Sequence, residues 1–217
     1  MATSKDYSTI ANILNKTFPD TKTFLNHHDN KDYEFLFAVI LSAQATDDSV
    51  NKATAVLFSK YPSLDDFVEE NKAGILECVR HVGLSNSKVN YILKTAKILR
   101  EDYQGQVPKD RQALMKLPGV GYKTSGVVLG ELYNYPVIPV DTHVFRVTHR
   151  LGLVPNSFDP SKTEDRLEKE FGSLADIHLH QRLILLGRNI CPSRNPKCES
   201  CPLNSFCKYH SKEHKDA

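Results

Sequence analysis

No stretch of this chain is apolar for long enough to cross a bilayer. The longest run, FLFAVIL at 35–41, falls far short of the roughly 20 residues that a membrane helix needs. The start, Met1-Ala2-Thr3-Ser4-Lys5-Asp6, lacks the apolar core of a secretory leader, which points to the cytosol. Internal repeats and low-complexity tracts are absent, so solenoids and arrays are excluded. Alternating apolar–polar stretches are nearly absent too, which argues against half-buried sheets. Charge of one sign is also in short supply: 28 Lys and Arg against 26 Asp and Glu leave +2. A balance that mild announces no nucleic-acid partner, and any such partner must be argued from local clustering. Cysteine is scarce along most of the chain, with Cys78 alone in an amphipathic stretch as a small buried hydrophobe.

The 217 residues suffice for a real core, in one domain or two lobes. Helical periodicity dominates. Ile10, Ile13, Leu14 and Thr17 share one helix face, as do Val50, Ala53, Val56 and Leu57. The pattern predicts further helices over 64–71, 72–81, 87–103, 109–116, 122–132, 142–151, 162–171 and 174–186, each bounded by cap or breaker residues. Tyr135-Pro136-Val137-Ile138-Pro139-Val140 is extended, but two prolines disqualify it as a central strand and mark a joint. A polar tail frays at 211–217. The fold class expected is all-α.

Pro108 is expected to open a short helix that Leu117-Pro118 ends, and Gly119-Val120-Gly121 leads into the next helix. Without side chains at 119 and 121, backbone N–H groups can approach an anionic oxygen closely. The helix start adds free donors and a positive dipole end, so the segment can hold a phosphate without reading sequence. A plain tight turn between two packed helices is the competing interpretation. Lys123 sits in the first turn of that helix, where positive charge is electrostatically misplaced. That field, with partial burial, would lower its pKa and free the amine as a nucleophile; a solvated or phosphate-pairing lysine is the alternative. Asp141 precedes the helix over 142–151 and suits its N-cap, a role compatible with stabilising positive charge in a cleft. His143 reads as packed or hydrogen-bonded, and Arg146 as the partner of an acid or a phosphate.

Cys191, Cys198, Cys201 and Cys207 fall within seventeen residues as Cys-x6-Cys-x2-Cys-x5-Cys. In a reducing compartment such a cluster favours metal over disulfides, and four thiolates suit iron–sulfur or zinc. The loop between the first two carries Arg194 and Lys197, which could face phosphates or simply solvent. Lys88, Lys94, Lys97 and Arg100 read mostly as a solvated helix face.

Five segments together resemble the endonuclease III family of DNA glycosylases: LSAQATD at 41–47, GLSNSK at 83–88, LPGVGYKT at 117–124, VDTHVFRV at 140–147 and the four cysteines. They occur in the family's order and span most of the chain. The resemblance implies two helical lobes with a DNA-binding cleft between them. One, over 25–135, is a six-helix barrel containing the helix-hairpin-helix; the other joins 1–24 to 136–217 and carries a [4Fe-4S] cluster on the four cysteines. It implies removal of oxidised pyrimidines from double-stranded DNA and cutting of the strand, also at abasic sites, by a monomer, nucleoid-associated in a bacterium. Lys123 matches the nucleophile, Asp141 the essential aspartate, Gln44 the side chain that fills the vacated space, and Leu84 a wedge against the opposite strand. Gly119, Val120 and Gly121 match the phosphate-binding turn. Tyr122 departs from the pattern where an arginine often stands, and Gly126 and Gly130 replace bulkier residues. Two other functions compete: a monofunctional glycosylase for mismatched bases, against which Lys123 speaks, and a non-catalytic DNA- or partner-binding module with a metal staple.

Overall fold

The computed structural model describes residues 4–213, with side chains over 6–211. Among these, helices run in the order α1 (Ser4–Thr17), α2 (Asp32–Ser42), α3 (Asp47–Lys60), α4 (Lys72–Val79), α5 (Ser85–Tyr103), α6 (Arg111–Met115), α7 (Tyr122–Tyr133), α8 (Thr142–Leu151), α9 (Pro160–Phe171), α10 (Ile177–Asn189) and α11 (Lys208–Glu213). Short 3-10 turns fill some of the gaps, and no strand occurs among the described residues, so the fold is all-α. Of the tail expected to fray, 211–213 close α11 and 214–217 lie outside the described residues. None of these helices is long and apolar enough to cross a membrane.

The chain divides into two compact units, one over 23–133 and one joining 1–22 to 134–217. The first is organised around α2. Every residue from Tyr33 to Leu41 is buried, so the helix is apolar all round and packs on α3, α5 and α7. That is why periodicity did not reveal it: a helix buried on every side has no polar face to alternate with. Its one buried charge, Glu34, accepts from the His28 backbone N–H at 3.0 Å and pairs with His28 Nδ1 at 2.7 Å. Such partners are what make a buried carboxylate tolerable.

The helix expected over 64–71 is instead two 3-10 turns, Leu64–Asp66 and Glu69–Asn71. Ser63 and Asp66 form a reciprocal capping box around the first, and Val68 is extended. Phe67 lies between the turns and is fully buried, its ring 4.8 Å from that of Phe37. Burying that ring outweighs the local helical pattern. The short helix before the glycine turn starts at Arg111 rather than at Pro108, because the Asp110 carboxylate accepts from Ala113 N at 2.8 Å and sets the cap. Gly126 and Gly130 are buried in α7, which packs against α2 and α6.

In the second unit α1 packs against α9 and α10, and α10 against α8. Tyr7 closes this arrangement: its hydroxyl donates to Leu153 O at 2.6 Å, and its ring meets Phe171 edge-on at 5.0 Å. The proline-bearing stretch before α8 forms no sheet. Two of its N–H groups find side chains instead, Ile138 N donating to Glu168 Oε1 at 3.2 Å and Val140 N to Glu164 Oε2 at 3.3 Å, while Val137 N turns back to Tyr135 O at 2.8 Å. Asp141, Asp159 and Asp176 cap α8, α9 and α10, each contributing about 1 kcal/mol to its helix.

Candidate active site

In the 23–133 unit the glycine turn joins α6 to α7. Val120 N donates to Leu117 O at 3.1 Å, and the Val120 side chain is buried, so this residue anchors the turn from inside. Gly119 and Gly121 are the exposed pair. Gly119 has φ +82, and a Cβ there would meet Tyr91 Cδ2 at 2.9 Å and Ile40 Cγ2 at 3.1 Å. Gly121 has open space around its Cα. The two glycines therefore serve different ends: the first is required by the fold, the second leaves the backbone accessible.

Lys123 lies in the first turn of α7 and is exposed, not partly buried as expected. Its place in the first turn sets the amine near the positive end of the helix dipole. Tyr122, which departs from the family pattern, is half-buried and lies under the Arg111 guanidinium, 4.2 Å from ring centroid to Cζ. Arg111 also donates to Tyr122 O at 3.3 Å. A positive charge is thus kept beside the turn, borrowed from α6.

Gln44 and Leu84 come together in the same unit. Both are exposed and both take left-handed backbone, at φ 54 and φ 60. Gly83 stands next to the Gln44 backbone, where a Cβ would lie 3.7 Å from its carbonyl oxygen. L residues adopt that conformation only when their surroundings hold them in it. Lys88, taken from sequence as part of a solvated face, is buried and donates from Nζ to Leu41 O at 2.8 Å. Its burial pulls its pKa down. Arg100 is likewise no solvated residue: it donates to Leu64 O at 2.7 Å. Cys78 is a half-buried thiol against the apolar core, its pKa raised chiefly by burial.

In the other unit Asp141 caps α8, its Oδ1 accepting from His143 N at 2.9 Å and Val144 N at 2.7 Å. The carboxylate is half-buried and fixed by the helix it starts. His143 is packed, as expected. Burial lowers its pKa against the opposing pull of Asp141, and its Nδ1 meets Arg146 at 3.1 Å. Arg146 was expected to pair with an acid or a phosphate; it donates instead to Cys191 O at 3.1 Å and Gly187 O at 3.0 Å.

All four C-terminal cysteines are half-buried, form no disulfide, and line one cavity with Val147, Arg150 and Leu186. Burial is the largest cause that pushes the Cys201 thiol pKa up, and the other three cysteines add to it. Among the described residues no three His, Cys, Asp or Glu side chains close on a single ion-sized point. Zinc needs four sulfurs about 2.3 Å from one ion. Four half-buried thiols around one cavity supply the donor set of either a zinc ion or an iron–sulfur cluster. Arg150 clamps the loop, donating to Pro192 O at 2.7 Å, Ser193 O at 3.0 Å and Cys191 Sγ at 3.3 Å. Arg194 and Lys197 are exposed on that clamped loop.

Residues 37–173 match the model of the HhH-GPD superfamily, base excision DNA repair proteins. Endonuclease III of Rickettsia conorii is 44% identical over 201 residues, covering 93% of this chain and 94% of the relative. Endonuclease III of Escherichia coli is 42% identical over 199 residues, with 92% and 93% covered. A solved non-covalent endonuclease III–DNA complex superposes with a TM-score of 0.91 at 38% identity, over 99% of this chain and 100% of that one. A trapped endonuclease III–DNA covalent intermediate gives 0.90, again at 38% identity, with 99% and 100% covered. The chain therefore belongs to the HhH-GPD superfamily of base excision DNA repair proteins and, within it, to the endonuclease III family of DNA glycosylase/lyases.

Proposed function

We propose that the chain excises oxidised pyrimidines from duplex DNA and cuts the strand 3′ to the emptied sugar, with Lys123 as nucleophile and Asp141 as the supporting carboxylate. The observation that carries this reading is the exposed Lys123 amine at the start of α7, directly behind an accessible glycine turn. Gly119 and Gly121 offer backbone N–H groups to a phosphate, which sets the strand's position without reading its sequence. The same helix end favours a neutral amine at Lys123.

A damaged base leaves the stack at a cost of a few kcal/mol, less than an intact pair demands. Gln44 fills the space and presents its amide to the orphaned base, while Leu84 wedges the opposite strand. The neutral Lys123 Nζ attacks C1′ of the sugar. The C1′–N bond breaks, its electron pair leaves with the base, and a proton neutralises the base. Asp141 steadies the positive charge that develops on the sugar. The amine loses a proton as the ring opens to a protonated Schiff base. That imine acidifies C2′; loss of a C2′ proton drives out the 3′ phosphate, and water then frees Lys123. An abasic site enters the same route at the attack.

Cys191, Cys198, Cys201 and Cys207 would hold a [4Fe-4S] cluster, which supplies covalent cross-linking of the loop and no chemical step. Arg194 and Lys197 on that loop then face phosphates. The same reading makes the protein a cytoplasmic monomer working on nucleoid DNA. Borohydride reduction during turnover is expected to trap a covalent protein–DNA adduct that Lys123→Ala cannot form. Failure of the wild type to trap, or trapping by the alanine variant, overturns the mechanism.

A further inference from the structure

Lys88, Tyr91 and Thr95 recur along one face of α5 at the spacing of successive helical turns, and Leu84 is the residue that precedes its first turn. Each meets something that the proposed reaction uses. Leu84 is the exposed tip at the helix start, 62% accessible. Lys88, only 3% accessible, donates to Leu41 O, three residues before Gln44. Tyr91 lies against Gly119, and Thr95 Oγ1 donates to Pro118 O at 3.1 Å, so the far end of the same face supports the glycine turn. An ammonium is expensive to bury, and a methionine would fill a similar volume without that cost. The charge therefore has a use at this spot. The last turn of α2 carries no basic residue, and Lys88 brings a cation from another helix to that C-terminal end, where the dipole favours it. Just beyond, the chain turns through Ala45 N to Ser42 O at 3.1 Å, with Gln44 in left-handed backbone.

We propose that Lys88 is a positioning residue that holds the Gln44 turn in register with Leu84, so that both side chains enter the duplex as one unit. The inference rests on the reading that Gln44 and Leu84 occupy the duplex beside an extruded base. Lys88 touches neither DNA nor the reacting atoms. Its effect passes through the Leu41 carbonyl into a turn whose conformation an L residue does not take unaided.

The test is a mutant cycle on the full-length chain. Single-turnover excision is measured on a duplex bearing one thymine glycol, for Lys88→Met, Gln44→Ala, Leu84→Ala and their pairs. Lys88→Met is expected to slow excision about tenfold, and its effect should largely vanish once Gln44 or Leu84 is already removed, as coupled sites behave. Its factor should multiply in full with Gly121→Ala, which acts at the glycine turn. Lys88→Arg, keeping charge and donors, should recover most of the rate. A purely structural role predicts the same factor in every background, and that result overturns the proposal, as does a Lys88→Met rate equal to wild type. Should Lys88→Met not fold, Lys88→Gln is carried through the same cycle with the same criteria. If Gln44→Ala and Leu84→Ala themselves excise normally, the insertion reading fails and takes this proposal with it. If they are slow while the Lys88 variant is not, only the positioning role is lost.

Discussion

The two exposed glycines of the turn can be separated by a single methyl group at each. Gly119→Ala places a Cβ at φ +82, which costs an L residue about 1–2 kcal/mol. The new methyl also meets Tyr91 Cδ2 at 2.9 Å and Ile40 Cγ2 at 3.1 Å. Tyr91 is 42% accessible, so its ring can swing outward, whereas its Cβ at 3.1 Å and Ile40, 2% accessible, cannot, and overpacking adds about 1–2 kcal/mol. The sum, roughly 2–4 kcal/mol, lowers the melting temperature by about 5–15 °C for a chain of this length. Gly121→Ala meets nothing within 4 Å and needs no positive φ, so stability should change by less than about 0.5 kcal/mol. On the proposed phosphate-binding role of the turn, its methyl would nevertheless stand between the backbone N–H and a phosphate. Losing one hydrogen bond to a charged oxygen costs about 1.5–3 kcal/mol, or roughly 10–100-fold in affinity for undamaged duplex. Thermal denaturation by circular dichroism and fluorescence anisotropy at one fixed salt concentration measure the two effects. Gly121→Ala melting as early as Gly119→Ala would refute the division of labour. Wild-type DNA affinity in Gly121→Ala would refute phosphate binding at that glycine.

Asp141→Asn keeps an oxygen for His143 N and Val144 N, so its stability should fall by less than about 0.5 kcal/mol, whereas Asp141→Ala should lose about 1 kcal/mol. Both should abolish excision, and an active Asp141→Asn would remove the carboxylate from the mechanism. His143 is held neutral by burial, its folded pKa below the ordinary value of about 6.5. Between the folded and unfolded values the unfolded chain binds more protons, so this group costs stability as pH falls through that window. Urea midpoints from pH 7.5 to 5 should therefore fall less steeply in His143→Gln than in wild type; identical slopes would contradict the assignment. Arg150→Met removes the clamp on Pro192, Ser193 and Cys191, and should lower the iron retained per chain and speed tryptic cutting near Arg194. Unchanged iron content and cutting rate would show that the cysteines hold the loop unaided.

Features set by local chemistry were legible in the sequence. The carboxylate that starts α8, the break at Leu117-Pro118 and the non-sheet stretch through Pro136 and Pro139 all follow from cap and breaker residues. The glycine turn with Lys123 behind it could be read for the same reason. Features set by distant partners were hidden. α2 carries no amphipathic signal because neighbours cover it on all sides. Lys88 looked like one more solvated lysine because its acceptor, Leu41 O, lies 47 residues away in sequence. The chain bends at Phe67 because a ring from α2 receives it, not because its own neighbours resist a helix. Arg146 likewise advertised charge for an acid or a phosphate, yet it serves carbonyl oxygens.

The second unit is assembled from both sides of the first along the chain, and this gives its formation an order in time. Residues 23–133 form a continuous unit and can pack as soon as they leave the ribosome. Tyr7, in contrast, waits for Leu153, its partner 146 residues later. At about 5–20 residues per second that delay is roughly 7–30 s, during which Ile10 and Leu14 have no apolar partner from α9 or α10. The four cysteines emerge later still. A nascent chain stalled between α7 and α9 would therefore carry a finished 23–133 unit beside an uncovered α1, the state in which chaperone capture and aggregation compete.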